Sequence, residues 1–232
     1  MKKIGIIVFA AAILIGVAIA NFFSFGKSTE KFFSFSCNSA THGSGNLVSE
    51  KRDVGSFHGV DVGGIFQVEI LAQKDFSVEI EADDNLLRLI KTEVNDGVLN
   101  ISSESSIKSK NTIRVRISAP DIDSIGASGA SKVSVTDLKT SDLKLDASGD
   151  SKVTLAGEAG NLSVELSGAS GLEAEGLEAE TVSVDASGAS CASVNVLEQL
   201  EAKAAGASKI IYSGSPKKVE KKSSGASSIT NN

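Results

Sequence analysis

One tetrapeptide recurs six times in this chain of 232 residues. It reads Ser128-Gly129-Ala130-Ser131, Ser148-Gly149-Asp150-Ser151 and Ser167-Gly168-Ala169-Ser170. It continues as Ser187-Gly188-Ala189-Ser190, Ala205-Gly206-Ala207-Ser208 and Ser224-Gly225-Ala226-Ser227. Successive central glycines are 20, 19, 20, 18 and 19 residues apart. A fixed period in this range marks a solenoid, in which one supersecondary unit stacks on copies of itself.

Setting the glycines in register gives each position a role. Two, four and six residues before the glycine the side chains are apolar, as in Ala147, Leu145 and Leu143 or Leu166, Val164 and Leu162. Four and six residues after it come Val133 and Val135, Val153 and Leu155, or Ile210 and Tyr212. Each period therefore reads as strand, tight turn, strand and loop, with one inward face per strand. Neither strand can bury that face alone. Stacking rungs ~4.8 Å apart pairs the backbone of each with the rung above or below. The expectation is an all-β, two-sheeted β-solenoid with an aliphatic core. Glycine recurs because the turn needs a conformation that a Cβ opposes.

The serine two residues after each glycine, Ser131, Ser151, Ser170, Ser190, Ser208 and Ser227, admits two readings. Its hydroxyl can bond local backbone or the next serine in the stack, or the six can form a flat ladder that faces sugar. A second column lies three residues before the glycine: Asp146, Glu165 and Asp185, then Lys203 and Lys222. Neighbours there stand ~5 Å apart up the stack. The three carboxylates are the candidate binding residues, as a solvated charged face, a Ca²⁺ site or the acids of a pectinase-like site. Lys144, Lys132 and Lys152 supply nearby compensating charge.

Outside the repeats, residues 47–120 alternate with period two. Phe66, Val68 and Ile70 oppose Gln67 and Glu69; Phe76, Val78 and Ile80 oppose Ser77, Glu79 and Glu81; Ile113, Val115 and Ile117 oppose Arg114 and Arg116. These read as half-buried strands, with Asn95-Asp96-Gly97 as a tight turn. Asp83-Asp84-Asn85 is expected to cap one short helical turn through Leu86 to Leu89. Pro120 makes a seam, since it cannot donate to a ladder. Whether 47–120 adds rungs or forms an antiparallel cap stays open. The absence of a linker-like stretch after Pro120 favours one continuous domain.

The N-terminus begins Met1-Lys2-Lys3, then runs uncharged from Ile4 to Gly26, with small residues at Ala18-Ile19-Ala20. This is a signal peptide over 1–20 cleaved after Ala20, or an uncleaved anchor that tethers the chain to a membrane. Either one exports the rest. Residues 21–46, with Phe22-Phe23-Ser24-Phe25 echoed by Phe32-Phe33-Ser34-Phe35, read as a flexible linker to a domain at 47–230, of which 121–230 is the repeat part.

The six S-G-A-S turns resemble the auto-transporter adhesin head family of bacterial envelope proteins, the GIN domain. The resemblance extends to Phe57-His58-Gly59-Val60, Val68-Glu69-Ile70 and Ile117-Ser118-Ala119-Pro120. It implies a right-handed parallel β-helix shaped like the pectin lyases, with the glycine motifs as turns between two sheets. The implied role is adhesion at the cell surface, and no catalytic residue comes with it.

Chemistry is otherwise sparse. A net charge of −6 argues against nucleic acid, which needs a basic face. The two cysteines, Cys37 and Cys191, are too few for a disulfide framework. Of the two histidines, His42 lies in the linker and His58 shows no nucleophile beside it. No metal or cofactor is implied. The sequence thus predicts an exported, non-enzymatic binding solenoid whose partner is a glycan or another cell surface. A polysaccharide-active enzyme and a purely structural envelope module are the alternatives.

Overall fold

A computed structural model describes residues 40–232. The signal or anchor segment, Cys37 and all of the expected linker before residue 40 lie outside these described residues. Among the described residues no helix is long and apolar enough to cross a membrane.

The repeats stack as parallel coils. Strand β10 (Ser124–Gly129) leads into the first S-G-A-S turn, and β11 (Lys132–Ala147), β12 (Lys152–Leu166), β13 (Gly171–Ala186) and β14 (Cys191–Ala204) follow, each separated from the next by a turn. β15 (Lys209–Gly214), β16 (Lys218–Ser223) and β17 (Ser228–Asn231) complete the stack. Every contact between successive coils is parallel, and the register carries Val133 to Val153 to Leu172 to Ala192 to Ile210. Apolar side chains thus lie in columns, and these columns are buried.

In β11, β12, β13 and β14 the expected loop on the far side of the coil is instead continuous strand, whereas the last coil keeps a short loop between β15 and β16. β11 runs unbroken from one sheet into the other, with a register shift between Val135 and Leu138, and similar shifts occur in the next two coils. Such bulges let a strand turn the corner and resume its ladder beyond it, leaving the residues between, such as Thr136 and Asp137, with no register partner in β12.

The half before the repeats supplies both rungs and a cap. β3 (Gly59–Gly64) and β4 (Gln67–Ala72) form a coil of their own, with Gly64 in the turn position beneath Gly129. β7 (Val98–Ser103) and β9 (Arg114–Ala119) pair in parallel beneath β3 and β4 as the lowest coil. The chain therefore leaves the lowest coil after β9 and re-enters two levels up, at β10, where it lies against β3. Below, the pairing turns antiparallel. β5 (Ser77–Asp83) lies along β9, β2 (Leu47–Arg52) along β5, and β6 (Ile90–Asn95) along β7 through the Asp96-Gly97 turn, where both residues have positive φ.

Three expectations need correction. The helical element is a 3₁₀ turn at Leu87–Leu89 with no side-chain cap, because the Asp83-Asp84-Asn85 side chains are engaged elsewhere. Residues 40–46 of the expected linker are folded: β1 (Thr41–His42) pairs with β8 (Ile107–Lys108). Phe76, expected to face inward with Val78 and Ile80, is 43% exposed. It precedes the first paired residue of β5, Ser77, and rests on Phe57 with ring centroids 5.2 Å apart.

Candidate functional site

The repeat glycines are fixed by two constraints at once. All six turn glycines have φ between +73° and +77°. The amide after each turn glycine also donates to the glycine carbonyl one coil below, as Ala169 does to Gly149 at 2.7 Å and Ala189 to Gly168 at 2.8 Å. A Cβ on Gly168 would stand 2.8 Å from the Gly149 oxygen, and on Gly188 2.5 Å from that of Gly168. The coils approach so closely at the turn that backbone fills the space a side chain needs.

The serines two residues later point into the turn. Ser131, Ser151, Ser170, Ser190 and Ser208 are buried. Ser151 donates to the Ala127 carbonyl (3.2 Å), Ser170 to Ala147 (3.3 Å), and Ser190 to Ser187 (2.9 Å). Ser208 reaches both Ala186 (3.0 Å) and Ala205 (2.8 Å), and Ser227 both Ala204 and Ser224. Ser131 Oγ alone in this column is buried with no partner. The Val62 carbonyl, which its position in the stack would offer, accepts from Ser128 Oγ at 3.4 Å. Hydroxyls placed this way bond backbone and are turned away from any ligand.

The charged column lies on the outer face of the sheet formed by the strands that enter the turns. Asp146, Glu165, Asp185, Lys203 and Lys222 occupy successive levels of one register line. The three carboxylates, Asp146, Glu165 and Asp185, line part of a groove of about 600 Å³ that also takes in Ser148, Ser167 and Ser187, while Lys203 and Lys222 lie beyond it. The line extends downward through Gly126 to Asp61. A Cβ on Gly126 would stand 2.6 Å from Asp61 Oδ1, so that glycine is what lets the Asp61 carboxylate lie over the strand. Asp61 belongs to the same line because β3 is a coil in all but turn sequence. The signal was there: with Gly64 set on the turn glycines, Val60, Asp61 and Val62 match Leu145, Asp146 and Ala147.

Lysines at the margins take up some of the charge. Lys144 Nζ lies 3.0 Å from Asp146, and Lys203 lies 2.9 Å from Glu201. The Asp146 carboxylate, with Glu165 further off, holds the Lys144 ammonium above its ordinary range, and Glu201 with Asp185 does the same to Lys203. Among the described residues no three Asp, Glu, His or Cys side chains converge as a metal site would require. His58, the one histidine near a carboxylate, has Nδ1 2.8 Å from Asp123 Oδ1.

The opposite sheet, built from the strands that leave the turns, carries a larger trough of about 850 Å³. Gln67, Glu69, Arg116, Ser134, Thr154 and Glu173 are among its lining residues. Sequence reasoning missed it, because it exists only where β5, β9, β4 and β11 lie side by side, in an order the chain does not follow.

The family model described as "Putative auto-transporter adhesin, head GIN domain" matches residues 56–216. This chain belongs to the GIN-domain family. Among solved structures, a "putative adhesin" from Bacteroides fragilis is 23% identical, with 83% of this chain and 100% of that one covered at a TM-score of 0.67. Another from Parabacteroides merdae is 17% identical over 83% and 99% of the two chains, at a TM-score of 0.53. A "putative lipid binding protein" from Parabacteroides distasonis is 16% identical over 83% and 99%, at a TM-score of 0.50. At these identities the likeness is one of fold. No curated protein matches the chain.

Proposed function

We propose that this GIN-domain protein is an exported, non-enzymatic binding solenoid that holds glycan at the cell surface. The observation that carries the reading is the division of labour in each coil. Glycine and the following serine are spent on the turn, whereas the outer faces of both sheets carry polar side chains over broad, shallow grooves. A surface that is rigid, polar and repeated at a fixed ~4.8 Å rise suits an extended polymer better than a small substrate. The adhesin description of the family agrees with this reading. Export rests on the uncharged run from Ile4 to Gly26 behind two lysines.

The experiment is a broad glycan array probed with the full-length chain. Binding to at least one glycan class is expected, and a blank array would overturn the ligand assignment. An alkaline-phosphatase fusion after Asn232 tests export separately: activity in cells is expected, since the enzyme folds only outside the cytoplasm.

A further inference from the structure

Only one of the two outer faces has the chemistry for an uncharged sugar. In the trough of about 850 Å³, one register line reads Glu69, Ser134, Thr154, Glu173. Its two ends carry ion pairs: Arg116 lies 3.9 Å from Glu69 and donates to Glu81 at 3.3 Å, and Lys152 lies 2.5 Å from Glu173. Between them the floor drops to two short hydroxyl side chains, Ser134 and Thr154, which face outward from strands whose neighbours Val133, Val135, Val153 and Leu155 are buried. The posts are three levels apart, about 14 Å at ~4.8 Å per level, which is room for two to three sugar rings. Leu71, 37% exposed, supplies an apolar edge for the C–H face of a pyranose.

The charges decide the ligand class. Arg116, Lys132 and Lys152 balance Glu69, Glu79 and Glu173 along the lining, so neither an acidic nor a basic polymer gains from the field. A guanidinium and two ammonium groups donate, three carboxylates accept, and hydroxyls do both. Vicinal sugar hydroxyls need that mixture of donors and acceptors. The other groove offers mostly carboxylates and serines, a set short of fixed donors.

We propose that this trough binds a neutral glycan chain, laid across the coils with its rings over Ser134 and Thr154. The proposal rests on the glycan reading above and assigns its site and ligand class.

The test compares full-length wild type with Thr154→Tyr and Ser134→Tyr, each of which fills the floor with a residue that strands accommodate, and with Glu165→Gln on the opposite face. Probes are dextran, laminarin and mannan as neutral chains, alginate as an anionic one and chitosan as a cationic one, with circular dichroism confirming that each variant is folded. The proposal expects wild type to retain at least one neutral chain. It further expects either tyrosine variant to weaken that binding tenfold or more, and Glu165→Gln to leave it within twofold. If neutral chains bind and both folded tyrosine variants bind as wild type does, the site is wrong while glycan binding stands. Loss with Glu165→Gln instead moves the site to the other face. Binding only to alginate or chitosan overturns the ligand class. Binding to none of the five overturns this proposal, and the array decides whether the broader reading falls with it.

Discussion

Gly168 and Ser208 show how little freedom a residue in the turn retains. A left-handed conformation costs an L-residue ~1–2 kcal/mol, and at Gly168 the added Cβ also meets the Gly149 carbonyl at 2.8 Å. Gly168→Ala is therefore expected to destabilise the domain by more than that conformational cost alone. Asp150→Ala, at the exposed position where other turns carry alanine, should stay within ~0.5 kcal/mol. Urea denaturation midpoints check both. The serines give a sharper contrast. Ser208→Ala removes a buried hydroxyl whose one proton is shared between carbonyls at 2.8 and 3.0 Å, and should lower Tm by about 2–4 °C, the equivalent of ~1 kcal/mol. Ser131→Ala removes a buried hydroxyl with no partner and should be neutral or stabilising. Equal losses at the two positions would mean that packing, not hydrogen bonding, fixes the column. The turn glycine was legible in sequence from its recurrence. The unpartnered state of Ser131 was not, since the carbonyl its place in the stack would offer belongs to Val62, a residue far away in the chain.

At the scale of the element, Asp83-Asp84-Asn85 fastens residues 42–46 to the base of the solenoid. Asp83 is buried and accepts from the Gly45 amide (2.9 Å), Asn111 Nδ2 (2.9 Å) and Ser109 Oγ. Asp84 accepts from Ser44 Oγ and Asn46 Nδ2, while Asn85 bonds the Ser44 amide and the His42 carbonyl. The Ser109 hydroxyl, helped by Asn111 and Gly45 and opposed by burial, holds the Asp83 carboxyl below its ordinary range. The sign follows. A depressed folded pKa means the contribution is complete above the unfolded value of ~3.9 and fades as pH falls through the lower folded value. Protection of the Thr41 and Gly43 amides, which bond to Ser106 and Lys108, taken relative to the intrinsic exchange rate at each pH, should thus be high at neutral pH and fall in acid below about pH 4. In Asp83→Asn the same amides should exchange quickly at pH 7 as well. Slow exchange in that variant at neutral pH would mean the β1–β8 pairing holds without the carboxylate. The sequence placed these residues at a helix start because Asp and Asn are caps by type. Their actual partners come from two segments that pack there only in three dimensions.

For the whole molecule, charge is arranged along the stack. Residues 142–198 carry eleven acidic side chains against two lysines, and residues 199–232 carry six lysines against two acids. The acidic coils repel themselves, and exposed pairs such as Lys144–Asp146 return little. Screening at ~0.1 M salt acts beyond ~10 Å, so Tm is expected to rise between 10 and 200 mM NaCl. A fall would show that the ion pairs outweigh the repulsion. The acidic stripe is expected to give no Tm shift with millimolar Ca²⁺ beyond that of equal ionic strength, because its carboxylates succeed one another up the stack without converging. At the C-terminal end Lys221 takes a core-facing position above Ala202 and covers the Tyr212 ring, 4.5 Å from its centroid.

The period of the glycines determined the all-β solenoid, the stacking direction and the buried columns, because a repeat that cannot bury its own face has to stack, and stacking puts equal positions in line. That logic needs only local spacing. Residues 47–120 lack the tetrapeptide, and their alternation is the same for a parallel rung as for an antiparallel cap. Only the tertiary structure decided that β3–β4 and β7–β9 are coils, that β2, β5 and β6 close the base, and that the chain skips a level between β9 and β10. Those choices depend on which strand edges meet, an energy shared between segments far apart in sequence. The trough on the second sheet is their direct product.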